Sequence, residues 1–385
     1  MIATLARTPL FDWHQAHGGR LVDFAGWEMP VSYSSIVAEH TATRTAVGLF
    51  DISHMGRLQF SGADAEAALE RIVTRRLAGL ATGQVVYSLV TGEAGGILDD
   101  VLVYKLADEA GAPYFVVVVN AGNREKIVAW FECQLAAQRQ ANPALDVQME
   151  DRTFDWGMIA VQGPQALELV RPFVSINPAA LRYYHAAEAR IGGPLGVVSR
   201  TGYTGEDGVE LIVGASSLYA LWETLLVQGR AAGAVAAGLG CRDTLRLEAA
   251  MPLYGHELNE QIDPFQAGLG FAVDLEKTFP GRDALAGAKA DKSRPVRAGL
   301  LLAGKRVPRE GFDILEGAAA GKAATVGHVT SGTFSPTLER PIAMGYVDRA
   351  AATVGRTLAI DIRGRAEPAT VVKLPFYRRT ERTAT

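Results

Sequence analysis

The chain has 385 residues, of which 48% are hydrophobic and 21% charged, and its formal net charge is −4. This length permits two or three domains with sizeable cores, and the slightly acidic balance argues against a nucleic-acid-binding protein, which would normally have a basic excess. Because no apolar run approaches the roughly 18 residues of a membrane-spanning helix and the N-terminus lacks signal-peptide features, the sequence predicts a cytoplasmic protein without a membrane partner.

The first half of the chain predicts strands and helices that alternate after an aromatic-rich opening. Following the segments FDWHQAHGG and FAGWEMP, strand-like patterns predict strands over 57–61, 86–90, 97–105 and 114–120. The last of these runs into a predicted amphipathic helix, in which apolar residues recur every four positions. A second strand-to-helix passage over 208–226 indicates two α+β domains of related design, although the self-similarity is too faint to define a repeat.

The pattern changes after about residue 275. From VRAGLLLAGK to PATVVKLPFY, short strands are separated by glycine and proline, and there is hardly any helical period. This texture predicts a small β-barrel or β-sandwich at the C-terminal end.

Two neighbouring carboxylates interrupt an apolar strand in the segment GGILDDVLVY. Successive side chains of a strand point to opposite faces. Asp99 therefore shares a face with Ile97 and Val101, whereas Asp100 shares one with Leu102. A buried carboxylate is costly unless its face supplies a partner, a water pocket or a ligand, so both acids are candidate site residues.

A second acid follows a glycine-rich turn in SRTGYTGEDGVELIV, where Glu210 interrupts another apolar run. Arg242 and Arg246 lie four residues apart on the predicted helix of CRDTLRLEAAM. These arginines either pair with a nearby carboxylate or present their planar donors to a ligand. Each acid alone is compatible with a structural role, but two acid-bearing apolar strands together favour a polar-lined ligand pocket.

Other motifs do not point to a metal, a nucleotide or a nucleophile. His14 and His17 lack a third ligand, and the Gly-x-Gly segments GLGCRD and GLGF do not complete a dinucleotide-binding fingerprint. Ser53 and His54 are adjacent and diverge in direction, which disfavours a nucleophilic dyad. The two cysteines form no CxxC pair, so neither a disulfide framework nor a zinc ribbon is expected.

Long segments spread over the whole chain resemble the T-protein family, the aminomethyltransferases of the glycine cleavage system. They are TPLFDWHQAHGGRLVDFAGWEMPVSY, GLFDISHMG, GGILDDVLVY, NAGNREK, QGPQA, SRTGYTGEDGVE, CRDTLRLEAAMPLYGHEL and GHVTSGTFSPTLERPIAMGYV. The resemblance implies an α+β fold of three domains around a central channel that holds tetrahydrofolate. We expect a discontinuous first α+β domain from 1–50 and 155–274, a second from 51–154, and a C-terminal β-barrel from 275–385.

The resemblance also implies a reaction and a partner. The family transfers the methylene unit of an aminomethyl group, carried on the lipoyl arm of H-protein, to tetrahydrofolate and releases ammonia, without a metal. The family's catalytic aspartate corresponds to Asp100, whose carboxylate can stabilise a cationic one-carbon unit and help to move a proton. Asp99 is then expected to be structural, bonded to backbone donors or to an arginine.

The remaining site residues are likewise implied by the resemblance. Glu210 corresponds to the acid that pairs with the pterin ring, and Arg242 corresponds to a binding residue that touches the ligand or braces Glu210. The other expected members of the folate site are Asn120, Tyr87, Met55, Tyr203 and Arg378.

Two other functions remain open on the sequence. A folate-dependent demethylase or methyltransferase of the same fold would share the pterin residues and take a small methylated donor. A non-catalytic folate-binding protein is the other alternative, but such relatives carry a cysteine in the segment that matches TGYTGED, which this chain lacks. The retained Asp100 also favours an enzyme.

Overall fold

A computed structural model describes residues 4–317 and 324–379 of the chain. The helices, in chain order, are α1 (Phe11–Ala16), α2 (Ile36–Thr45), α3 (Ala65–Glu70), α4 (Arg124–Ala141), α5 (Ala166–Val170), α6 (Ala215–Gly229), α7 (Leu239–Glu248) and α8 (Arg282–Ala290). The strands are β1 (Arg20–Phe24), β2 (Trp27–Ser32), β3 (Val47–Asp51), β4 (Gly56–Ser61), β5 (Val85–Thr91), β6 (Ile97–Ala107), β7 (Pro113–Val119), β8 (Gln148–Asp151), β9 (Trp156–Gln162), β10 (Ala186–Arg190), β11 (Leu195–Ser199), β12 (Gly208–Gly214), β13 (Ala234–Ala236), β14 (Val296–Leu302), β15 (Asp313–Leu315), β16 (Thr325–Ser335), β17 (Arg340–Val347), β18 (Thr357–Asp361) and β19 (Ala366–Val372).

Two sheets of related topology form the first two thirds of the molecule. One has the order β5-β6-β7-β4-β8 and the other the order β10-β11-β12-β9-β3-β13. In each, a strand and a short helix precede three antiparallel strands, a longer helix and a closing strand. The second sheet differs by the insertion of β3 between β9 and β13. The predicted pair of related α+β units is confirmed, and the relation is clearer in topology than in sequence.

The two sheets face each other across one buried apolar cluster. Tyr104 and Val116 of the five-stranded sheet and Met158 and Ile212 of the six-stranded sheet belong to it. Helices α4 and α6 cover the outer faces of the two sheets through separate clusters. Removal of this apolar surface from water holds the sheets together, and it places one face of β6 and β12 toward the space between the units.

The C-terminal part is a closed barrel with the strand order β14-β17-β16-β15-β18-β19. Its interior contains Leu300, Ile314, Val347, Leu358 and Val371, all buried. The sequence pattern was compatible with either a barrel or a sandwich, and the structure shows a closed barrel. The predicted fold class, two α+β units with a C-terminal barrel, is confirmed.

The local predictions also agree with the structure. Strands β4 to β7 lie where strand patterns predicted them, and α4 follows β7 as expected. The four-residue spacing identified the inner face of α4, because Ile127, Phe131 and Leu135 are all buried. The domain boundaries given above stay a prediction. Within 4–317 and 324–379, no helix combines the length and apolar character needed to cross a membrane.

Two buried polar clusters join α7 to the barrel. In the first, Arg246 Nη1 lies 2.8 Å from Glu257 Oε2 while its Nη2 donates to the Ser331 hydroxyl of β16 at 2.8 Å. In the second, the Glu248 carboxylate at the end of α7 accepts a 2.8 Å hydrogen bond from the Thr337 hydroxyl. Such charge-assisted contacts fix the helix relative to the barrel, and α7 carries a predicted site residue.

Candidate active site

A cavity of about 850 Å³ lies between the two sheets, α7 and the barrel. It is lined from β5, β6, β12 and α7, from the segment after α7, and from β16. A concave, largely apolar space with a few convergent polar groups is the usual form of a small-molecule site. The sequence-predicted site residues that line it are Met55, Tyr87, Asp100, Asn120, Tyr203, Glu210 and Arg242.

Asp100 presents its carboxylate to this cavity from β6. Its Oδ2 accepts from the Tyr87 hydroxyl at 3.0 Å, and its Oδ1 accepts from Asn120 Nδ2 at 2.8 Å. Leu102 of β6 pairs with Val118 of β7, and Asn120 follows β7 directly, so the register of the two strands brings its amide near Asp100. Burial raises the pKa of Asp100, while the hydrogen bonds from Tyr87 and Asn120 oppose that shift.

Asp99 points away from the cavity, as strand alternation predicts, and its side chain has no exposed surface. It accepts from the Asn120 backbone N–H at 3.0 Å, from Asn120 Nδ2 at 2.8 Å and from Asn123 Nδ2 at 2.6 Å. Within the described part of the chain its donors are thus a backbone group and two amides, and no arginine. Burial, followed by the charge of Asp100, raises the pKa of Asp99.

Glu210 occupies the middle of β12, where Ser199 and Ala160 of the two neighbouring strands flank it. Its carboxylate accepts a hydrogen bond from the Thr201 hydroxyl. Burial raises the pKa of Glu210, and the Thr201 hydrogen bond and the positive charge of Arg242 act in the opposite direction. A carboxylate in a central strand has little freedom to move, so it offers a fixed pair of acceptor oxygens.

Arg242 enters the cavity from the first turn of α7 and packs over the Tyr203 ring, with 4.8 Å from its Cζ to the ring centroid. Among the residues that the structure describes, its buried Nη1 has no hydrogen-bond partner. Burial lowers the pKa of Arg242, and the charge of Glu210 counteracts this. A buried guanidinium donor without a partner is costly, so Nη1 is available for an acceptor on a bound ligand.

Tyr203 and Tyr87 supply rigid walls. The Tyr203 hydroxyl donates to the Pro252 carbonyl, which fixes the ring beneath Arg242. The Tyr87 ring stacks on Phe271, with the ring centroids 6.0 Å apart and the planes inclined by 29°. Tyr87, Tyr203 and Phe271 all line the cavity.

Arg378 is the predicted site residue that the structure does not bring to the cavity. It is exposed and absent from the cavity lining. The preceding Tyr377 is fixed against the α+β unit of the six-stranded sheet. Its backbone N–H donates to the Glu248 carbonyl at 2.8 Å and its hydroxyl donates to Glu206 Oε1 at 2.7 Å. Arg379 instead lies 3.3 Å from Asp207. Because Tyr377 points inward, the extended chain directs Arg378 to solvent, and a role of Arg378 in folate binding stays a prediction.

Several lining residues were missed by the sequence reading. His54 and Phe24 form an edge-to-face pair with centroids 5.5 Å apart, and burial lowers the pKa of His54 to about 3, so the ring is neutral at pH 7. Thr330 and Ser331 reach the cavity from the barrel. The segments DISHMG and TSGTFSP were visible as motifs, but only tertiary packing brings them to β6. In 4–317 and 324–379, no cluster of three histidine, cysteine or acidic residues is arranged to hold a metal ion.

Comparison with known proteins covers nearly the whole chain. The family model described as GCVT N-terminal domain matches residues 10–277, and the one described as Glycine cleavage T-protein C-terminal barrel domain matches residues 296–378. An aminomethyltransferase of Rubrobacter xylanophilus is 47% identical over 98% of this chain and 95% of its own length. One of Moorella thermoacetica is 44% identical over 99% of this chain and 100% of its own length.

A solved structure agrees with this relationship. The crystal structure of glycine cleavage system aminomethyltransferase T from Bartonella henselae has a TM-score of 0.87 and 32% sequence identity, and it covers 98% of this chain and 100% of its own. Matches of this identity and coverage extend over both α+β units and the barrel. The chain therefore belongs to the glycine cleavage T-protein family of aminomethyltransferases and is a transferase enzyme.

Proposed function

We propose that the chain transfers the one-carbon unit of aminomethyl-dihydrolipoyl H-protein to tetrahydrofolate and releases ammonia. The observation that carries this proposal is the convergence of Asp100, Glu210 and Arg242 on one cavity. The family membership supports an aminomethyl donor, and the polar groups of the cavity match the chemistry that such a transfer requires.

The residues present fit a pterin ring. Its exocyclic amino group and adjacent ring N–H are two donors side by side, which complement the two oxygens of a fixed carboxylate such as Glu210. The unpartnered Nη1 of Arg242 can donate to a ring acceptor. Tyr203 and Met55 supply the apolar walls. When bound, tetrahydrofolate supplies the two nitrogens that accept the one-carbon unit.

Asp100 is the catalytic residue of this proposal. Positive charge develops on the carbon as it leaves sulfur, and a carboxylate fixed before the reaction stabilises that charge without reorganisation. Tyr87 and Asn120 hold the carboxylate through one hydrogen bond to each oxygen. Asp100 can also carry a proton between a nitrogen and the departing amine.

Glu210→Gln is expected to weaken tetrahydrofolate binding about tenfold, because the amide turns one acceptor into a donor that faces ligand donors. Isothermal calorimetry with tetrahydrofolate measures the effect. Glu168→Gln, at an exposed position of α5, is the matched control and should bind as the wild type does. Unchanged affinity in Glu210→Gln would remove Glu210 from the pterin site.

The donor class is tested by supplying tetrahydrofolate with either aminomethyl-lipoyl H-protein or small N-methyl and S-methyl compounds. The proposal predicts ammonia and 5,10-methylenetetrahydrofolate from the H-protein donor alone. Formation of a folate product from the small donors, with none from H-protein, would favour the demethylase or methyltransferase alternative. Folate binding without turnover of any donor would favour a binding protein.

A further inference from the structure

A single amide bridges the two neighbouring carboxylates of β6. Asn120 Nδ2 lies 2.8 Å from Asp99 Oδ1, 2.8 Å from Asp100 Oδ1 and 3.2 Å from the Asp100 carbonyl oxygen. An amide nitrogen has two hydrogens and here faces three acceptors. The two side chains point to opposite faces of the strand, yet this shared donor couples them.

In the part of the chain that the structure describes, no cation is hydrogen-bonded to either carboxylate. Among the described residues, the hydrogen bonds to Asp99 come from neutral N–H groups, and the Asp100 carboxylate accepts hydrogen bonds from the Asn120 side-chain amide and the Tyr87 hydroxyl. Two like charges in one buried site destabilise each other.

The titratable and charged groups that face the pair come from several other parts of the fold. Tyr87 of β5, Tyr184 and Tyr203 surround Asp100, and the pKa of each is raised by burial and by the charge of Asp100. Toward Asp99 lies Tyr254, whose hydroxyl accepts from Lys126 Nζ at 2.9 Å. Lys126 Nζ is itself 3.0 Å from Glu260 Oε1. On the cavity side, Arg242 packs over the Tyr203 ring; toward Asp99, Lys126 contacts the pair only through Tyr254 and is itself paired with Glu260.

We propose that Asp99 and Asp100 act as one pair that retains a single proton at neutral pH, with Asp100 exchanging the proton at the cavity and Asp99 as its positioning residue. The geometry that supports this is the shared Asn120, the full burial of Asp99 and the lack of a directly paired cation. Coupled acids of this kind titrate together, and the proton belongs to the pair rather than to either residue.

The consequence for catalysis rests on the proposed function. In the overall reaction the C–S and C–N bonds of the donor break and two C–N bonds to the folate nitrogens form. The two folate nitrogens lose one proton each, the donor sulfur gains one as a thiol, and the amine gains one to leave as ammonia. A pair that holds one proton can give it to the departing amine and take one back from a nitrogen, so its own state is restored. A lone ionised carboxylate has no proton to give at the start of that exchange.

Infrared spectra of the ligand-free full chain at pH 7, recorded in H₂O and in D₂O and subtracted from each other, test the shared proton without any turnover. The wild type should show a protonated-carboxyl stretch that shifts in D₂O, and both Asp99→Asn and Asp100→Asn should lack it. Absence of the band in the wild type, or its loss on only one of the two substitutions, would overturn the pair. The result does not depend on which donor the enzyme uses, so it separates this inference from the proposed function.

A second variant keeps the test informative if Asp99→Asn does not fold. Asn123→Ala removes a hydrogen-bond donor to Asp99 alone. Because that donor favours the ionised carboxylate, the variant should show the protonated-carboxyl band at pH 7 and keep it to a higher pH than the wild type does. Disappearance of the band at pH 7 would contradict the proposal.

Where the H-protein assay reports turnover, Asp99→Asn should move the alkaline limb of kcat to lower pH by at least about one unit, because the like charge is gone. If Asp99→Asn lowers the melting temperature but leaves the alkaline limb of the kcat–pH profile unchanged, Asp99 has only a structural role.

Discussion

Asp100→Asn is expected to lower the rate of folate-dependent ammonia release by roughly ten- to a thousandfold. The substitution preserves shape but removes both the negative charge that faces the transferred carbon and the carboxyl group that exchanges a proton at the cavity. Tetrahydrofolate affinity should stay close to that of the wild type, because Glu210 and Arg242 are unchanged. Steady-state ammonia release and calorimetry measure the two quantities separately.

Asp12→Asn provides the matched control, since Asp12 is an exposed aspartate of α1. It should leave both turnover and affinity unchanged. Near-normal turnover in Asp100→Asn would exclude this carboxylate from the chemistry. An equal loss of turnover and of folate affinity would mean that Asp100 acts mainly in binding.

The largest effect on stability is expected from Glu248→Ala. Glu248 is fully buried and ends α7, where Arg44 Nη2 lies 2.8 Å and His40 Nε2 3.2 Å from its Oε2. Hydroxyl and backbone donors of Ser335 and Thr337 complete its partners from the barrel side. Removing one partner of a buried charge cluster costs about 3–5 kcal/mol, so the free energy of unfolding should fall by this amount.

Denaturant unfolding of Glu248→Ala against Glu132→Ala checks this expectation, because Glu132 is an exposed residue of α4. The control should change the unfolding midpoint little. A loss below about 1 kcal/mol in Glu248→Ala, the size expected of a surface pair, would mean that the cluster does not hold α7 to the barrel.

The same carboxylate gives stability a defined pH dependence. Although burial opposes it, the hydrogen bond and charge of His40, with Arg44 and Ser335, lower the pKa of Glu248 to about 2. The pKa in the folded state is thus below the value of about 4.5 for the unfolded chain. The contribution is complete above the unfolded value and is lost as pH falls toward 2. The difference in stability between wild type and Glu248→Gln should therefore narrow below pH 4.5.

Much of the fold was predictable because its signals are local. Strand alternation gave the opposite directions of Asp99 and Asp100, and the spacing of apolar residues gave the inner face of α4. Short strands separated by glycine and proline predicted a barrel or a sandwich, and the family resemblance favoured the barrel. The relation between the two α+β units was harder to see, since conserved topology does not require similar side chains.

The site was predictable only in part. Patterns identified Asp100, Glu210 and Arg242 as unusual, and family resemblance assigned their roles, but neither shows that Arg242 Nη1 lacks a partner. That observation depends on packing between α7 and β12. The position of Arg378 outside the cavity lining could not be predicted for a related reason, because the contacts of Tyr377 with Glu206 and Glu248 decide which side chain of the tail turns inward.

The most direct test of the proposed function is the rate of ammonia release from aminomethyl-lipoyl H-protein, measured with the full chain in the presence and absence of tetrahydrofolate. The proposal predicts fast release that depends on tetrahydrofolate, with 5,10-methylenetetrahydrofolate formed in equal amount. Release at the same rate without tetrahydrofolate, or no release with a folate-loaded enzyme, would contradict it.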